Sequence, residues 1–279
     1  MTNSRGPLFA STELAARIER GAAALCADAA RARRAAGDDA VILDVGGGVA
    51  VWAGDGSPLN KVAGIGFAGP PDEAGLAAVE EAFAERGSAV QVELASLAAT
   101  GWAEALGRRG YALVGFENVL GISVAARASI SAPGIDVRVA TPDEQDAWLD
   151  VVVEGFAHPD AQGVASHEHF PREVIEKALR ELTTGAAFVQ FIALREGEFA
   201  GGASLCLSDD GVAQLAGAAT LPAHRRRGVQ SALLAARLAY AAERGCDVAT
   251  ITTQPGSRSQ ENSQRQGFDM LYVRAILVR

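Results

Sequence analysis

"GAATLPAHRRRGVQSALL" occupies residues 217–234 and joins a run of small residues to a run rich in alanine and leucine. Three arginines, Arg225 to Arg227, stand directly before Gly228. The whole chain carries 25 Lys and Arg against 34 Asp and Glu, which gives a formal net charge of −9 at pH 7. An acidic protein therefore concentrates positive charge where a predicted strand gives way to a predicted helix.

The start of this helix has the properties of an anion site. The first backbone N–H groups of a helix lack partners within the helix and lie at the positive end of its dipole. A glycine there lets a ligand approach the backbone, and the arginines add charge. Each charge-assisted hydrogen bond contributes about 1.5–3 kcal/mol, so a few can hold a pyrophosphate. A solvated basic helix cap has the same composition, but the strand before and the helix after favour the phosphate site.

Two sequence patterns each occur twice in the chain. Each consists of a helix end, a glycine and a strand-like run. Gly87 and Gly110 are 23 residues apart in the first half, and Gly245 and Gly267 are 22 apart in the second. The repeats are "AERGSAVQVEL" (84–94) with "AERGCDVATIT" (242–252), and "RRGYALVGFENVL" (108–120) with "RQGFDMLYVRAIL" (265–277). They predict a duplicated fold.

The chain is therefore predicted to form two α+β domains, 1–130 and 135–279, joined near "SISAPGID" (Ser129 to Asp136), where Pro and Gly interrupt the pattern. The second half reads as a strand, two helices and three antiparallel strands with turns at "REGE" and "SDDG". The arginine loop, a long helix, a strand, a short helix around Asn262 to Gln266 and a closing strand follow. This order predicts a mixed, mostly antiparallel sheet flanked by helices in each domain.

The arginine loop resembles motif A of the GNAT (GCN5-related N-acetyltransferase) superfamily of acyl-CoA-dependent N-acyltransferases. That motif, [RQ]-x-x-G-x-[GA], follows a strand and an x-P step, and residues 225–230 lie on its six positions. "NSQRQGF" (262–268) resembles the end of the family's motif B. The resemblance covers roughly residues 135 to 279 and implies two tandem GNAT-like domains with acetyl-CoA as the cofactor.

In the family, loop N–H groups hold the CoA pyrophosphate, and the preceding strand lies beside the pantetheine and the acyl carbonyl. Gln230 departs from the motif, which has Gly or Ala there. Asn262 is interpreted equally as a CoA contact or as a polar helix-turn residue. The implied cofactor-binding residues are Ala218, Ala219, Thr220, Leu221, Arg225, Arg226, Arg227, Gly228, Val229, Gln230, Ser231 and Asn262.

The catalytic groups are less well marked. Many family members have a tyrosine four residues before the motif B glycine, as general acid, but Ser263 stands there. Tyr272 is a candidate substitute, or a packed strand aromatic. The acceptor amine must be neutral to attack, and only about one lysine-like amine in a thousand is neutral at pH 7, so a general base would help. A common base position is vacant, since the strand "VAQLAGAAT" has Gln214 and no acid. The main candidate supplier of the base is the loop 155–170, through His158, His167, Glu168 or His169, and Glu154 is another candidate.

Glu168 belongs to the loop "GFAHPDAQGVASHEHF" (155–170), which holds three of the four histidines of the chain. Its His-x-His could suggest a metal, but no further ligands at recognisable spacing accompany it, so no metal is predicted. The equivalent helix of the first half begins at Pro71, Asp72 and Glu73. These carboxylates would repel a pyrophosphate, so the first domain is predicted to keep the fold without the cofactor.

The bulk composition, with 49% hydrophobic and 21% charged residues, is typical of a globular protein. The acidic balance argues against nucleic acid or a membrane as partner. The three cysteines, an odd number, predict buried thiols in a cytoplasmic protein, and no run resembles a signal peptide. We therefore expect an N-acetyltransferase, monomeric or homodimeric, that transfers an acetyl group from acetyl-CoA to a primary amine of a small molecule or peptide. The alternative is an acyl-CoA-binding regulatory protein without turnover, slightly favoured by the missing tyrosine and strand acid.

Overall fold

The computed structural model of the protein describes residues 6–124, 133–158, 162–185 and 187–279. The described residues form eleven strands, seven α-helices and two short 3-10 turns, Pro142–Glu144 and Pro222–His224. The first half contains α1 Thr12–Ala35, β1 Val41–Val45, β2 Gly48–Trp52, β3 Lys61–Ala63, α2 Glu73–Ala84, β4 Gln91–Ala95, α3 Gly101–Arg108 and β5 Ala112–Ser123. The second half contains β6 Ile135–Val139, α4 Gln145–Ala157, α5 Arg172–Thr183, β7 Phe188–Arg195, β8 Glu198–Leu207, β9 Val212–Thr220, α6 Val229–Glu243, β10 Val248–Thr253, α7 Arg258–Arg265 and β11 Asp269–Val278.

The strands join into one sheet across both halves. Its order in the described residues is β1-β2-β3-β4-β11-β5-β10-β9-β8-β7-β6. The pairs β3–β4 and β9–β10 are parallel, and the other neighbouring strands are antiparallel. The predicted α+β class with a mixed, mostly antiparallel sheet flanked by helices is confirmed.

Both sequence repeats correspond to repeated structure. α2 and β4 in the first half correspond to α6 and β10 in the second, and α3 and β5 correspond to α7 and β11. The four glycines between these helices and strands, Gly87, Gly110, Gly245 and Gly267, all have positive φ, between 60° and 89°. This left-handed conformation is the usual end of a helix, and glycine adopts it without a steric penalty.

The two halves exchange their last strands. β5 of the first half pairs with β10 and β11 of the second, and β11 pairs with β4 and β5 of the first. The cores are shared accordingly: Leu120 and Ile122 of β5 pack in the core beneath α6, and Leu277 of β11 packs with Phe83 and Trp102 of the first half. The boundary between 1–130 and 135–279 stays a prediction about sequence duplication, and the hydrogen-bonded sheet crosses it.

The long helix α1 lies across the junction between the halves. Ser11 caps its N-terminus by accepting a hydrogen bond from the N–H of Leu14. Leu14 and Ile18 pack with residues of β5, β9, β10 and β11, and Ala23 and Cys26 pack with β2 and β3. All three cysteines are buried and free, as predicted. Across the described ranges, no helix is long and apolar enough to cross a membrane.

Candidate active site

The arginine loop has the curvature that an anion site requires. The 3-10 turn Pro222–His224 ends β9, and Gly228 is the N-cap of α6. Arg226 and Gly228 both have positive φ, 58° and 90°. Backbone of this kind turns successive N–H groups into one concavity, and the dipole of α6 adds positive potential there. The predicted strand, loop and helix are therefore all present.

The loop forms one wall of a cleft of about 890 Å³. Ten of the twelve residues expected to bind the cofactor line this cleft. The other two, Leu221 and Arg227, are not among its described lining residues. The lining comprises Gly155, Phe156, His158, Ala218, Ala219, Thr220, His224, Arg225, Arg226, Gly228, Val229, Gln230, Ser231, Arg258, Ser259, Asn262 and Arg265.

Sequence reasoning missed the contribution of α7 to this cleft. Arg258, Asn262 and Arg265 are spaced i, i+4 and i+7, so they share one face of the helix. Only Asn262 was identified from the sequence, and extending its helical spacing by one turn in each direction would have found both arginines. Each arginine also pairs with Glu261 on the same helix.

The arginines of the loop differ in their roles. Arg225 donates hydrogen bonds to the carbonyl oxygens of Thr220, at 3.3 Å, and His158, so its side chain fastens the loop to β9 and to the end of α4. The side chains of Arg226 and Arg227 make no hydrogen bond or ion pair with the described residues. Arg226 lines the cleft and is therefore the guanidinium best placed for a ligand anion.

The parallel strands beside the cleft separate before they end. The pairing of β9 with β10 begins at Val212 opposite Val248 and ends at Leu215 opposite Ile251. Residues beyond Leu215 on β9 continue to pair with β8 on the other side. A gap therefore opens between the ends of β9 and β10, where backbone groups of β9 can bond to a ligand.

A second, smaller cavity of about 320 Å³ lies along the same stretch of β9. Gly217 lines the smaller cavity and the next residue, Ala218, lines the larger cleft, so the two meet at this strand. The lining of the smaller cavity comprises Ile18, Ala22, Leu25, Cys26, Leu59, Lys61, Glu93, Glu117, Gln214, Leu215, Ala216, Gly217, Thr250, Thr252 and Arg274. Both halves of the chain therefore build it.

A buried charge cluster occupies one side of this cavity. Arg274 on β11 donates to Glu19 of α1 at 2.8 Å and to Glu93 of β4 at 3.3 Å. Lys61 on β3 donates to the other oxygen of Glu93 at 2.5 Å. Burial raises the pKa of Glu93, but Lys61 and Arg274 outweigh it and hold that pKa below its ordinary value. Glu93 is therefore a carboxylate at neutral pH.

Glu117 on β5 differs from the other acids of the cluster. Its side chain is 22% exposed, and its contact with Arg274 spans 3.8 Å, too long for a hydrogen bond. Burial and the neighbouring charge of Glu93 raise the pKa of Glu117 to about 7, against the opposing effect of Lys61 and Arg274. This carboxyl group can therefore exchange a proton near neutral pH, and it was not identified from the sequence.

The three residues proposed as catalytic from the sequence lie apart. Glu154, near the end of α4, pairs with Arg172 at 2.9 Å and does not line either described cavity. The negative charge of Glu168 contributes to the raised pKa of Glu117. The hydroxyl of Tyr272 donates to the buried Glu19 at 2.6 Å, and burial raises its pKa. Catalytic roles for these three stay predictions.

At the equivalent helix start in the first half, side-chain carboxylates occupy the place where an anion would bind. Asp72 caps α2 by accepting a hydrogen bond from the N–H of Gly75 at 2.9 Å. Glu73 pairs with Arg109 at 2.9 Å. These carboxylates satisfy the free donor and add negative charge, which supports the prediction that this half holds no pyrophosphate. In the described part of the chain, no three His, Cys, Asp or Glu side chains converge as a metal site.

The site thus combines a parallel strand pair that opens with the glycine-capped, arginine-bearing start of a helix. Residues 155–268 match the sequence model of the Acetyltransferase (GNAT) family. The matched residues all lie in the second half of the chain. No curated protein matches the chain significantly in sequence.

Solved structures agree on the fold. A GCN5-related N-acetyltransferase from Kribbella flavida is 23% identical, with 95% of each chain covered and a TM-score of 0.67. A tandem GNAT protein from the clavulanic acid biosynthesis pathway is 14% identical, with 98% of this chain and 97% of that chain covered and a TM-score of 0.59. A GCN5-related N-acetyltransferase from Sphaerobacter thermophilus is 17% identical, with coverages of 74% and 66% and a TM-score of 0.55. The chain has a tandem GNAT fold.

Proposed function

We propose that the protein is an N-acetyltransferase that transfers the acetyl group of acetyl-CoA to the primary amine of a small molecule or peptide. The observation that carries this proposal is the continuity of the site. The anion loop at Gly228, the gap between β9 and β10 and the smaller cavity follow one another along β9. A cofactor with a charged end and a reactive thioester end suits this arrangement.

The residues present fit acetyl-CoA at both of these ends. Backbone N–H groups at the start of α6, together with Arg226, Arg258 and Arg265, would hold the phosphates. Beyond Leu215, the backbone groups of β9 that no longer pair with β10 would bond to the pantetheine, and the bound cofactor supplies an acetyl group activated as a thioester. The chain itself contributes orientation, exclusion of water and a group that accepts a proton from the amine.

The alternative function is acyl-CoA binding without turnover. One observation favours it: Ser263, at the position of the family's tyrosine, is buried and donates to the carbonyl of Ser259 at 2.8 Å. No tyrosine is among the described residues that line the cleft. Release of free CoA thiol with a panel of amines distinguishes the two functions, since only the acetyltransferase produces it.

The Gly228→Glu variant is expected to lose the stabilisation that acetyl-CoA gives to the parent. The new carboxylate would occupy the anion site. In addition, the backbone φ of 90° at position 228 disfavours any residue with a side chain. At a ligand concentration of 100 times Kd, binding stabilises a folded protein by about 2.7 kcal/mol. Thermal melting with and without acetyl-CoA measures this difference as a shift in Tm.

Gly197→Glu is the matched control. Gly197 has a φ of 86° in the turn between β7 and β8, and an added Cβ there meets nothing within 4 Å. This variant carries the same backbone strain and the same new charge away from the cleft, so its response to acetyl-CoA should equal that of the parent. An undiminished Tm shift in Gly228→Glu would show that the loop does not hold the cofactor.

A further inference from the structure

The strand exchange places an acid of the first half beside the active-site strands of the second half. β5 pairs with β10, with Asn118 opposite Thr253 and Val119 opposite Thr252. Glu117 precedes Asn118 and lines the smaller cavity together with Thr250 and Thr252 of β10 and residues 214–217 of β9. Strand β9 has Gln214 and no acid where the family commonly has its base. A different strand, β5, supplies a carboxyl group to the same cavity.

Glu117 is also the carboxyl group of this cavity that has hydrogen-bonding capacity to spare. Glu93 accepts hydrogen bonds from both Lys61 and Arg274. Glu117 accepts none from the described residues, and its nearest cationic atom, on Arg274, is 3.8 Å away. Its oxygens are therefore free to accept a hydrogen bond from a ligand in the cavity.

The charges around Glu117 leave room for one additional cation. Within this contact network, Lys61 from β3 and Arg274 from β11 oppose Glu19 from α1, Glu93 from β4 and Glu117 itself, which gives one excess negative charge when all are ionised. Glu168 makes no ion pair with the network, but its negative charge also raises the pKa of Glu117 and so reinforces the attraction for a cation. Two other groups of the same face, Cys26 and Tyr272, add no charge to this balance at neutral pH, because burial raises the pKa of Cys26 to about 11 and also raises that of Tyr272. His167 hydrogen-bonds to Gln91.

The size and walls of the cavity restrict what can enter. Its volume of about 320 Å³ is at the lower end of the roughly 300–1,000 Å³ typical of small-molecule sites. Ile18, Leu25, Leu59 and Leu215 provide apolar walls. A compact amine with an apolar body fits this environment, whereas several residues of a polypeptide exceed its volume.

We propose that this cavity is the acceptor site, that its substrate is a small primary amine with one positive charge, and that Glu117 is the catalytic base. This inference rests on the proposed function. The Glu117 carboxylate takes a proton from the ammonium group, and the neutral nitrogen then attacks the thioester carbon. A C–N bond forms and the C–S bond breaks. The thiolate leaves with the second nitrogen proton as CoA thiol, and Glu117 returns its proton to water.

The test compares Glu117→Gln with the parent, with phenethylamine and n-butylamine as acceptors. The expected loss in kcat/KM is about 100-fold or more, the usual contribution of a general base. The kcat/KM of the parent should rise with pH up to about 7, because Glu117 must be ionised, and the variant should lose this rise. Glu176→Gln changes a partly exposed acid of α5 that pairs with Arg180. It makes the same charge change away from both cavities and should match the parent.

A second measurement does not depend on turnover. With free CoA saturating, so that no acetyl transfer can occur, phenethylamine should raise the Tm of the parent but not that of Glu117→Gln. Spermidine and a lysine-containing tripeptide should give no shift in either protein. Calorimetric titration with acetyl-CoA should give the same Kd for both proteins, and failure of the parent to bind acetyl-CoA would instead reject the proposed function.

Three results would overturn the inference. One is turnover by Glu117→Gln within threefold of the parent. Another is an equal phenethylamine shift in both proteins. The last is the absence of any amine-dependent shift in a parent that binds acetyl-CoA. The variants Glu154→Gln and Glu168→Gln identify the base if Glu117 is not it.

Discussion

Residues 135–279 expressed alone are expected to aggregate, or to bind acetyl-CoA weakly and transfer no acetyl group. Without β5, the strand β10 loses its antiparallel neighbour, and without β4 and β5, the strand β11 loses both of its neighbours. The core beneath α6 also loses Leu120 and Ile122. Unpaired strand edges and exposed apolar side chains favour association between chains. Solubility, calorimetric titration with acetyl-CoA and the CoA-thiol assay measure the outcome.

Co-expression of 1–130 and 135–279 as separate chains is the control for this experiment. The two fragments together contain every strand, so they should assemble and recover acetyl-CoA binding. A soluble 135–279 fragment with the affinity and turnover of the parent would show that the first half is an independent appendage. The claim that the second half needs the exchanged strands for its function would then be wrong.

Arg274→Met is expected to destabilise the protein by about 3–5 kcal/mol, the usual cost of removing one partner from a buried ion pair. Arg274 is 5% exposed, and the variant leaves Glu19, which is 1% exposed, and Glu93 without their shared cation. Methionine has a similar length and restores none of the charge. Urea unfolding at pH 7 measures the loss as a lower midpoint.

Arg180→Met is the matched control, because Arg180 also contacts two carboxylates, Asp146 and Glu176, but at the exposed surface. Its expected cost is within about 1 kcal/mol. The cost of Arg274→Met should also diminish as pH falls below about 4.5, the ordinary pKa of a glutamate, and through the lower folded-state pKa of Glu93. The folded-state pKa of Glu93 lies below its ordinary value, so the stability it contributes is present at neutral pH and is lost on protonation. Equal costs for both variants would contradict the buried network.

Local chemistry explains which features the sequence predicted. The Gly228 helix start, the glycine-terminated repeats and the Asp72 cap depend on neighbouring residues, and each has a recognisable composition. The turns "REGE" and "SDDG" also joined strands as expected. These features depend on contacts between residues close together in sequence, so a few neighbouring residues are enough to predict them.

The strand exchange and the charge cluster could not be predicted in this way. The sequences of β5 and β11 have similar patterns of apolar and polar residues, and neither pattern predicts which strands β5 or β11 will pair with. The carboxyl of Glu117 became a candidate only once β10, β4 and β11 surrounded it. The one available signal was an acid inside the apolar strand "VGFENVL", and its meaning depends on partners more than 20 residues away in the chain.

A crystal structure of the full-length protein with acetyl-CoA tests the central claim most directly. The account predicts one cofactor per chain, with its pyrophosphate within hydrogen-bonding distance of the backbone N–H groups at Gly228 to Ser231. The thioester should lie in the gap between β9 and β10, facing the cavity that contains Glu117. A cofactor bound at the start of α2, a second cofactor in the first half, or a thioester directed away from that cavity would contradict the account.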